Sequence, residues 1–347
     1  MAKFAIDHVS IEGISACVPQ NKVFNRDYVY QSPKEQAQFI QTTGIEERRI
    51  APEGTTASDL CLASARRLLA QLACEPAAIN LLVFVSQTPD YKIPCTATIL
   101  QDKLGLSKRC LAFDVNLGCS GYVYGLSIVA SMLTHLKGKA LLLVGDVSST
   151  CVNPKDKTAA PLFSDAGSAS LLSYQEGSAP MYFNLQSDGA GYDAIITPDG
   201  GARNPINDAS FSFDLTLGRS RADMILDGIK VFNFSRREVL PNVRELLEYT
   251  GNEIQDIGFF VFHQANKLMN DMLAKKLGID PEQAPQTLAK LGNTSSASIP
   301  VTLVQSVHQI QLSIEKEIIL SGFGVGLSWG SVQLELSKTN ILPLIEI

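Results

Sequence analysis

Short apolar runs alternate with helical patterns along most of this chain, and the alternation occurs twice. The run Leu82–Val85 precedes a helical pattern that ends at Leu104, and the run Phe259–Phe262 precedes one that ends at Leu277. A glycine follows the last residue of both patterns, and the matching positions lie 177 and 173 residues apart. A repeat of this length predicts a duplicated α/β unit. Strands that alternate with helices predict mainly parallel sheets with helices on their faces.

The remaining patterns divide the chain into three parts. Helical periodicity predicts helices over residues 57–72, 95–104, 120–136, 230–250, 268–277 and 301–310. Apolar runs predict strands over residues 79–85, 110–115, 139–147, 166–174, 257–262, 317–322 and 331–336. The helix over 120–136 is too apolar for a surface helix and should lie in a buried layer between two sheets. The boundaries that follow are 1–175 for the first half, 176–220 for a Gly- and Pro-rich irregular connection, and 221–347 for the second half.

Composition excludes several classes of protein. The 347 residues carry a formal charge of −6, which argues against broad binding to nucleic acid. The longest apolar runs are far shorter than the roughly 20 residues that span a membrane, and the first residues lack a signal-type apolar run. The seven cysteines are scattered and include no CxxC pair, so neither a disulfide framework nor a zinc site is expected. These features together predict a cytoplasmic protein that contacts no membrane and holds no metal.

The strongest candidate for a reactive group is Cys119, in the segment Asp114–Tyr122. A predicted strand ends near Asn116, small residues make a tight turn, and the apolar helix begins. A thiol at a helix N-terminus is expected to have a lowered pKa, and its own backbone N–H can act as an oxyanion donor. The alternative from this local pattern is a small residue that only packs at a strand–helix turn.

Two further candidates lie in the second half. His263 follows the strand over 257–262 directly, and the carboxyl ends of parallel strands are where ligands bind in α/β sheets. A structural histidine is the alternative there. Asn293 lies in a run of small residues before the helix over 301–310, and its amide can donate a hydrogen bond without a change of charge. Helix capping is the favoured interpretation for Ser295, Ser296 and Ser298.

A glycine-rich loop, Ser321–Gly330, follows the strand over 317–322. Its three alternating glycines would let the backbone approach a ligand closely, but the loop lacks the Lys-Ser/Thr pair of a P-loop. The order Cys119, His263 and Asn293 is also that of papain-like proteases. The sequence around Cys119 does not match Cys-Gly-Ser-Cys-Trp, and the duplicated α/β pattern is wrong for that class.

Read together, these segments resemble the thiolase-fold condensing enzymes, most closely the β-ketoacyl-acyl-carrier-protein synthase III family. The resemblance extends from about Val9 to Leu336. The segments that carry it are Thr43–Arg48, Asp114–Gly121, Phe163–Gly167, His263–Asn266, Gly292–Ser295 and Phe323–Gly326. Biosynthetic thiolases carry a second cysteine in the C-terminal glycine-rich loop, which is absent here. Chalcone-synthase-like enzymes share that loop but are usually longer and have a different His segment.

The resemblance implies a fold and a reaction. The fold would be thiolase-like and layered α-β-α-β-α, with two mixed sheets around a buried helix layer. Cys119 would take an acyl group from acyl-CoA or acyl-ACP, and His263 and Asn293 would stabilise the enolate formed when malonyl-ACP loses CO₂. The oxyanion hole would combine the backbone of Cys119 with that of Gly324, Val325 or Gly326. Acyl carrier protein would be the partner, and no bound cofactor or metal would be needed.

Several positions depart from the family pattern. Gln38 and Thr42 stand where the housekeeping enzymes carry a Trp and an Arg that hold the coenzyme A nucleotide. Leu268 replaces an Arg after the His-Gln-Ala-Asn motif, which leaves Lys267 and Lys157 as the basic candidates for contacts to coenzyme A or carrier protein. These departures favour a primer other than acetyl-CoA, or one delivered on a carrier protein, in a specialised pathway.

The family resemblance also implies an obligate homodimer. The residue before the Pro of Ile93-Pro94 would reach into the partner's acyl tunnel, and Ile93 stands where a bulky Phe is common, so a longer acyl group is expected. Two other functions stay open at this point. One is acyl transfer from Cys119 to an alcohol or amine, and the other is a non-catalytic partner subunit of a related synthase. The intact Cys, His and Asn set favours condensation over both.

Overall fold

A computed structural model describes residues 2–30, 32–306 and 316–347. In the described part of the chain, the α-helices are α1 (Pro33–Thr43), α2 (Ala57–Gln71), α3 (Thr96–Lys103), α4 (Gly121–Leu136), α5 (Gly228–Phe234), α6 (Leu240–Thr250), α7 (Lys267–Leu277), α8 (Leu288–Leu291) and α9 (Ser298–Gln305). A π-helical turn, Ser235–Val239, joins α5 to α6. The predicted helices are therefore confirmed in substance, and positions 307–310 of the last one lie outside the described residues.

The strands form two main sheets and two short ribbons. They are β1 (Ala2–Ile6), β2 (Val9–Val18), β3 (Lys22–Phe24), β4 (Glu47–Arg49), β5 (Ile79–Val85), β6 (Leu111–Val115), β7 (Lys139–Asp146), β8 (Ala166–Tyr174), β9 (Met181–Ser187), β10 (Ile195–Ile196), β11 (Ile225–Leu226), β12 (Phe259–Phe262), β13 (Ile318–Gly324), β14 (Ser328–Leu334), β15 (Asn340–Ile341) and β16 (Ile345–Glu346). The first sheet has the order β15-β2-β8-β7-β5-β6, with β16 also paired to β2. The second has the order β1-β9-β14-β13-β12, while β3 pairs with β4 and β10 with β11.

The two sheets repeat one arrangement of four strands. The order β2-β8-β7-β5 in the first sheet corresponds to β9-β14-β13-β12 in the second. In both, the first two pairings are antiparallel and the third is parallel. The duplicated α/β unit predicted from sequence is therefore present. The expectation of mainly parallel sheets is correct for the first sheet of the described chain, where four of six strand pairings are parallel. It is wrong for the second sheet, where only β12 and β13 pair in parallel.

The termini connect the two halves. Strand β1, at the start of the chain, lies at the edge of the second sheet, and β15 and β16, near its end, pair with β2 of the first sheet. Strand β9 lies within the connection predicted to be irregular and is a full member of the second sheet. Its alternation was hidden by polar side chains such as Asn184, which is fully buried because it bonds to Asn242 and Glu245 on α6. The boundaries at 175 and 221 remain a prediction.

The helices complete five layers. Helices α4 and α9 lie between the sheets and contact strands of both, and one continuous hydrophobic core surrounds them. Helices α2 and α3 cover the outer face of the first sheet, and α5, α6 and α7 belong to the core on the outer face of the second. The predicted burial of the helix over 120–136 is thus confirmed. No helix among the described residues is long and apolar enough to cross a membrane.

Candidate active site

Cys119 lies in the turn that connects β6 to α4. The backbone N–H of Gly121 donates to the carbonyl of Gly118 at 2.6 Å, which closes the turn, and α4 begins at Gly121. The side chain of Asp114, earlier in the same motif, accepts from the backbone N–H groups of Thr96 and Ala97, so it holds the start of α3 and not a ligand. Cys119 is 7% exposed. The thiol therefore occupies a buried helix N-terminus, as the sequence predicts.

The loop after β13 closes over this turn. A Cβ atom on Gly324 would stand 2.5 Å from Cβ and 2.7 Å from Sγ of Cys119. Gly322 packs against the same turn at the next residue, since a Cβ atom added to Gly322 would lie 2.9 Å from Cα of Ser120. The glycines of this loop are therefore required for the close approach of two backbones, and the backbone of Val325 is brought to the sulfur of Cys119.

Burial decides the pKa of the Cys119 thiol. Loss of solvent raises it to about 11, and hydrogen bonds from the backbone N–H groups of Val325 and of Cys119 itself act in the opposite direction. The pKa expected from the helix N-terminus was a lowered one, and that expectation is wrong because desolvation of the charged form outweighs the nearby donors. The same two N–H groups are the donors that an oxyanion hole requires, since both converge on the reacting atom.

His263 directly follows β12 and is 2% exposed. Its backbone N–H donates to the carbonyl of Ser321, and its ring stands edge-on to Phe323 with 5.6 Å between the ring centroids. Burial lowers the pKa of the imidazole to about 3, while a hydrogen bond with the backbone of Ser295 opposes that shift. His263 is therefore neutral near pH 7. Its Nδ1 lies 2.7 Å from Oγ of Ser298, and when that hydroxyl donates, the proton of the neutral ring is on Nε2.

Asn293 is fixed by the backbone around it. Its own N–H donates to the carbonyl of Leu162, and its carbonyl accepts from the N–H of Ser164. The side-chain Oδ1 accepts from the N–H of Ser295 at 2.9 Å, so the amide is oriented with Nδ2 free to act as a donor. Nδ2 makes only a long contact, 3.4 Å, with the carbonyl of Ala265. Asn293 and His263 thus present neutral N–H donors.

The serines after Asn293 do not cap a helix, contrary to the interpretation favoured by the sequence. Ser298 bonds to His263, and both the backbone N–H and the hydroxyl of Ser296 donate to Oδ2 of Asp146. Ser295 has a positive φ of 50°, which is uncommon for a residue with a side chain and marks a constrained turn. No local pattern could reveal these roles, because each partner is far away in sequence.

Asp146 is a site residue that sequence reasoning missed. It ends β7, is 1% exposed, and its second oxygen accepts from the N–H of Gln87 at 2.8 Å and the hydroxyl of Ser86 at 3.1 Å. The side chain of Gln87 in turn packs against Gly118, where a Cβ would lie 2.4 Å from its Oε1. One buried carboxylate therefore joins the segment beside the nucleophile turn to the segment that carries Asn293.

The three predicted catalytic residues line one small cavity of about 50 Å³. The residues around them are mostly apolar, and they are Leu162, Phe163, Ile195, Leu226, Gly228, Val231, Ala265, Asn266, Met269, Phe323 and Gly324. A thiol and two neutral donors in an apolar cavity can hold an acyl group and stabilise a developing enolate. Among the described residues, no group of three or more His, Cys, Asp or Glu is placed to hold a metal ion.

Other predicted residues lie elsewhere. Lys157 lines a second, separate cavity. Lys267 begins α7, pairs with Asp271 one turn later, and packs against Gly44 of the Thr-Gly-Ile segment. Ile93 is 88% exposed and does not reach the catalytic cavity of its own chain. The structure therefore brings Cys119, His263 and Asn293 together with the Gly324–Val325 backbone. The two lysines and Ile93 do not line the catalytic cavity.

Comparison with known proteins gives the family. The models for 3-oxoacyl-[acyl-carrier-protein] synthase III and for its C-terminal part match residues 113–189 and 247–336. The β-ketoacyl-[acyl-carrier-protein] synthase III of Symbiobacterium thermophilum is 33% identical over 95% of this chain and 98% of its own. The crystal structure of a 3-oxoacyl-(acyl-carrier protein) synthase from Burkholderia xenovorans superposes with a TM-score of 0.93, at 36% identity and 99% coverage of both chains.

A third comparison agrees with these. The 3-oxoacyl-(acyl carrier protein) synthase III of Pseudomonas aeruginosa is 29% identical, with a TM-score of 0.83, and covers 94% of this chain and 98% of its own. The thiolase-like fold and the family resemblance drawn from the sequence are both confirmed. The chain belongs to the 3-oxoacyl-[acyl-carrier-protein] synthase III family and is a condensing enzyme of that type.

Proposed function

We propose that Cys119, His263 and Asn293 carry out a two-step condensation. An acyl thioester first acylates Cys119, and malonyl-ACP then loses CO₂ and attacks the acyl-cysteine to give a β-ketoacyl-ACP. The observation that carries the proposal is that the thiol of Cys119, the neutral imidazole of His263 and the amide of Asn293 line one largely apolar cavity. An enolate requires neutral hydrogen-bond donors beside the nucleophile, whereas a simple hydrolase does not require them.

The first step uses the backbone around Cys119. The sulfur attacks the thioester carbonyl, the C–S bond to the donor breaks, and the thiol proton leaves with the departing thiolate. The N–H groups of Val325 and Cys119 stabilise the negative charge that forms on the carbonyl oxygen. Because burial raises the pKa of Cys119, the resting group is the thiol, and its proton must be lost as the sulfur attacks. The N–H groups of Val325 and Cys119 favour the thiolate that this requires.

The second step uses His263 and Asn293. Loss of CO₂ from the malonyl group leaves an enolate on the thioester oxygen, and Nε2 of His263 and Nδ2 of Asn293 donate to that oxygen. The enolate carbon then attacks the acyl carbonyl, the bond to Cys119 breaks, and the sulfur takes up a proton. Removal of one such donor typically costs about 3–4 kcal/mol of barrier. The neutral state of His263 suits this role, since a donor is needed and not a base.

Acyl transfer to an alcohol or amine is the competing function. It would need an acylated Cys119 but no enolate, so the oriented amide of Asn293 and the Ser298-bonded imidazole of His263 would be unexplained. Mass spectrometry of products formed from an acyl thioester and malonyl-ACP decides between the two. A product that contains both acyl and acetyl carbons supports condensation, and an ester or amide alone would refute it. Cys119→Ala is the control that should form neither.

Residues outside the catalytic cavity bear on which acyl donor the enzyme uses. Gln38 and Thr42, on α1, replace the residues that hold the coenzyme A nucleotide in the housekeeping enzymes, and the charge of Lys267 is paired with Asp271. We therefore propose a primer other than acetyl-CoA, or one delivered on a carrier protein, in a specialised pathway. Acylation of Cys119 measured with matched acyl-CoA and acyl-ACP donors tests this, and a clear preference for acetyl-CoA would contradict it.

The assembly and compartment are also part of the proposal. Strand β6 is at the edge of the first sheet, and Leu111 on it is 45% exposed, which supports pairing with a second copy. Sedimentation velocity should therefore give a homodimer. All seven cysteines are free, which supports a reducing compartment such as the cytoplasm.

A further inference from the structure

A second cavity of about 660 Å³ lies apart from the catalytic one. Its apolar lining includes Val23, Phe24, Val29, Val152 and Ala160. Within the ranges that the structure describes, it shares no lining residue with the cavity around Cys119. Its volume is in the range of sites that bind small organic molecules. Its lining includes Lys157, a candidate contact to coenzyme A or carrier protein, but none of the residues around Cys119 that the proposed condensation uses.

A buried guanidinium forms part of the cavity surface. Arg48 is only 6% exposed, and its Nε donates to Oδ1 of Asn25 at 2.9 Å. Over residues 2–30, 32–306 and 316–347, the guanidinium of Arg48 forms no ion pair within 4.0 Å and no hydrogen bond besides that to Asn25. Because Asn25 occupies only Nε, the terminal amino groups of Arg48 keep donors that are suited to an anion entering the cavity.

The hydroxyl groups of the cavity lining have hydrogen-bond partners. The hydroxyl of Tyr28 donates to the carbonyl of Pro154 at 2.8 Å, and that of Ser149 donates to Asp165 at 2.6 Å. The donors that remain for an occupant are therefore the terminal amino groups of Arg48 and the two lysines of the lining.

The charge of the lining is positive. Lys155 and Lys157 contribute two cations besides Arg48, and Lys155 also stands 5.3 Å from the ring centre of Phe213. Asp27 is the acidic residue of the lining, and the guanidinium of Arg26 lies 3.9 Å from it. An occupant with one negative group and an apolar body matches this combination of charge and walls.

We propose that this cavity binds a carboxylate with an apolar tail, such as a fatty acid. The carboxylate would bond to the terminal amino groups of Arg48, for which the planar guanidinium is well shaped. The tail would lie against Val152 and Ala160, which are 8% and 5% exposed. Such a site is distinct from the acyl site at Cys119 and could be occupied together with it.

Isothermal titration of the full-length protein with dodecanoate tests the proposal. Dodecanol, which has the same chain and no charge, should bind at least about tenfold more weakly, because a hydrogen bond to a charged group is lost. Arg48→Met should weaken dodecanoate binding by a similar factor and should leave the affinity for dodecanol unchanged. Equal affinities of the wild-type protein for the two compounds would overturn the proposal.

A matched pair of variants locates the ligand. Val152→Phe fills the second cavity and Val231→Phe fills the catalytic one, and the two valines are buried to nearly the same degree, 8% and 7% exposed. Val152→Phe should weaken dodecanoate binding at least about tenfold, whereas Val231→Phe should not. The reverse result would place dodecanoate in the catalytic cavity and overturn the proposal. Because this pair leaves Arg48 in place, it remains decisive if Arg48→Met fails to fold.

Discussion

Gly324 lies directly against the sulfur of Cys119, and a Cβ atom on Gly324 would stand only 2.7 Å from Sγ. Side-chain carbons do not approach other atoms so closely, so residue 324 can hold this position only without a side chain. The contact matters because the next residue, Val325, supplies the N–H that faces the sulfur. The geometry of the oxyanion hole therefore depends on the smallest residue in the loop.

Gly324→Ala should slow acylation of Cys119 by about 100-fold or more, which is the effect of losing one oxyanion donor. The added methyl group would push the loop and the N–H of Val325 away from the sulfur. Time-resolved intact-mass measurement with an acyl thioester gives the rate. Gly201→Ala is the matched control, since a Cβ there meets nothing within 4 Å. Equal acylation rates for Gly324→Ala and the wild type would contradict the assigned role of the loop.

Replacement of His263 or Asn293 by Ala should separate the two steps. Acylation of Cys119 should stay within a few-fold of wild type, and release of CO₂ from malonyl-ACP should fall by about 100- to 1,000-fold, because each variant removes one enolate donor. Both steps can be measured on one preparation, by intact mass and by capture of labelled CO₂. His135→Ala, at an exposed histidine of α4, is the control. The proposed roles are wrong if both variants release CO₂ at the wild-type rate.

The pKa of His263 gives a prediction that does not depend on activity. Burial lowers this pKa to about 3 from an ordinary value of 6.5, so the unfolded chain binds a proton at this residue between those two pH values and the folded chain does not. The stability that the group contributes is fully present above about pH 6.5 and is lost as the pH falls toward 3. NMR titration of the imidazole nitrogens should find His263 neutral at pH 5, with His263→Gln assigning its signals. A titration near pH 6.5 would contradict the buried environment.

The sequence could predict the repeated half and the candidate residues Cys119, His263 and Asn293, which line one cavity, because each lies in a recognisable contiguous segment. Cys119 follows a strand and precedes an apolar helix, and His263 follows the matching strand of the second half. The directions of strand pairing could not be read from the alternation. The connection between β7 and β8, residues 147–165, is long enough for a parallel crossover, yet the two strands pair antiparallel. Strand β9 was missed because tertiary hydrogen bonds, and not an apolar face, hold Asn184 inside.

The supporting residues were hidden for a different reason. Asp146 and Ser296 are 150 residues apart, and Ser298 meets His263 across 35 residues, so only the folded chain brings them together. The predicted shift in the pKa of Cys119 had the wrong direction. The sequence indicates a helix N-terminus, but it does not show how completely the turn is buried.

Asp146→Asn should lower both the rate of condensation and the free energy of unfolding, and the loss of rate should exceed what the loss of folded protein explains. The new amide would place two hydrogens opposite the donors of Ser296, and the segment that carries Asn293 would lose its anchor. We expect the free energy of unfolding to fall by about 1.5–3 kcal/mol, as for a lost hydrogen bond to a charged group. The kcat for CO₂ release should fall at least about tenfold, with little change in KM for malonyl-ACP.

Asp156→Asn is the control for the loss of a buried carboxylate. Asp156 is also 1% exposed, but its carboxylate bonds to Thr158 and Arg219. Within the described part of the chain it has no hydrogen bond to the segment after Asn293. A similar loss of stability without the loss of kcat is expected there. If both variants lose kcat equally at a temperature where both are folded, Asp146 does not position the site.

Ile93→Phe should shift the acyl preference toward short chains. Ile93 is 88% exposed on one chain and lies on the segment that Lys92 anchors, through a 2.6 Å bond to the carbonyl of Gly200. In the proposed homodimer this side chain enters the partner's acyl tunnel, and a smaller residue leaves more volume there, as large-to-small changes do in cores. Acylation of Cys119 with thioesters of increasing length, read by intact mass, gives the profile. Tyr91→Phe, on the same exposed segment, should leave it unchanged. A monomer in sedimentation, or an unchanged profile for Ile93→Phe, would refute this account of chain-length selection.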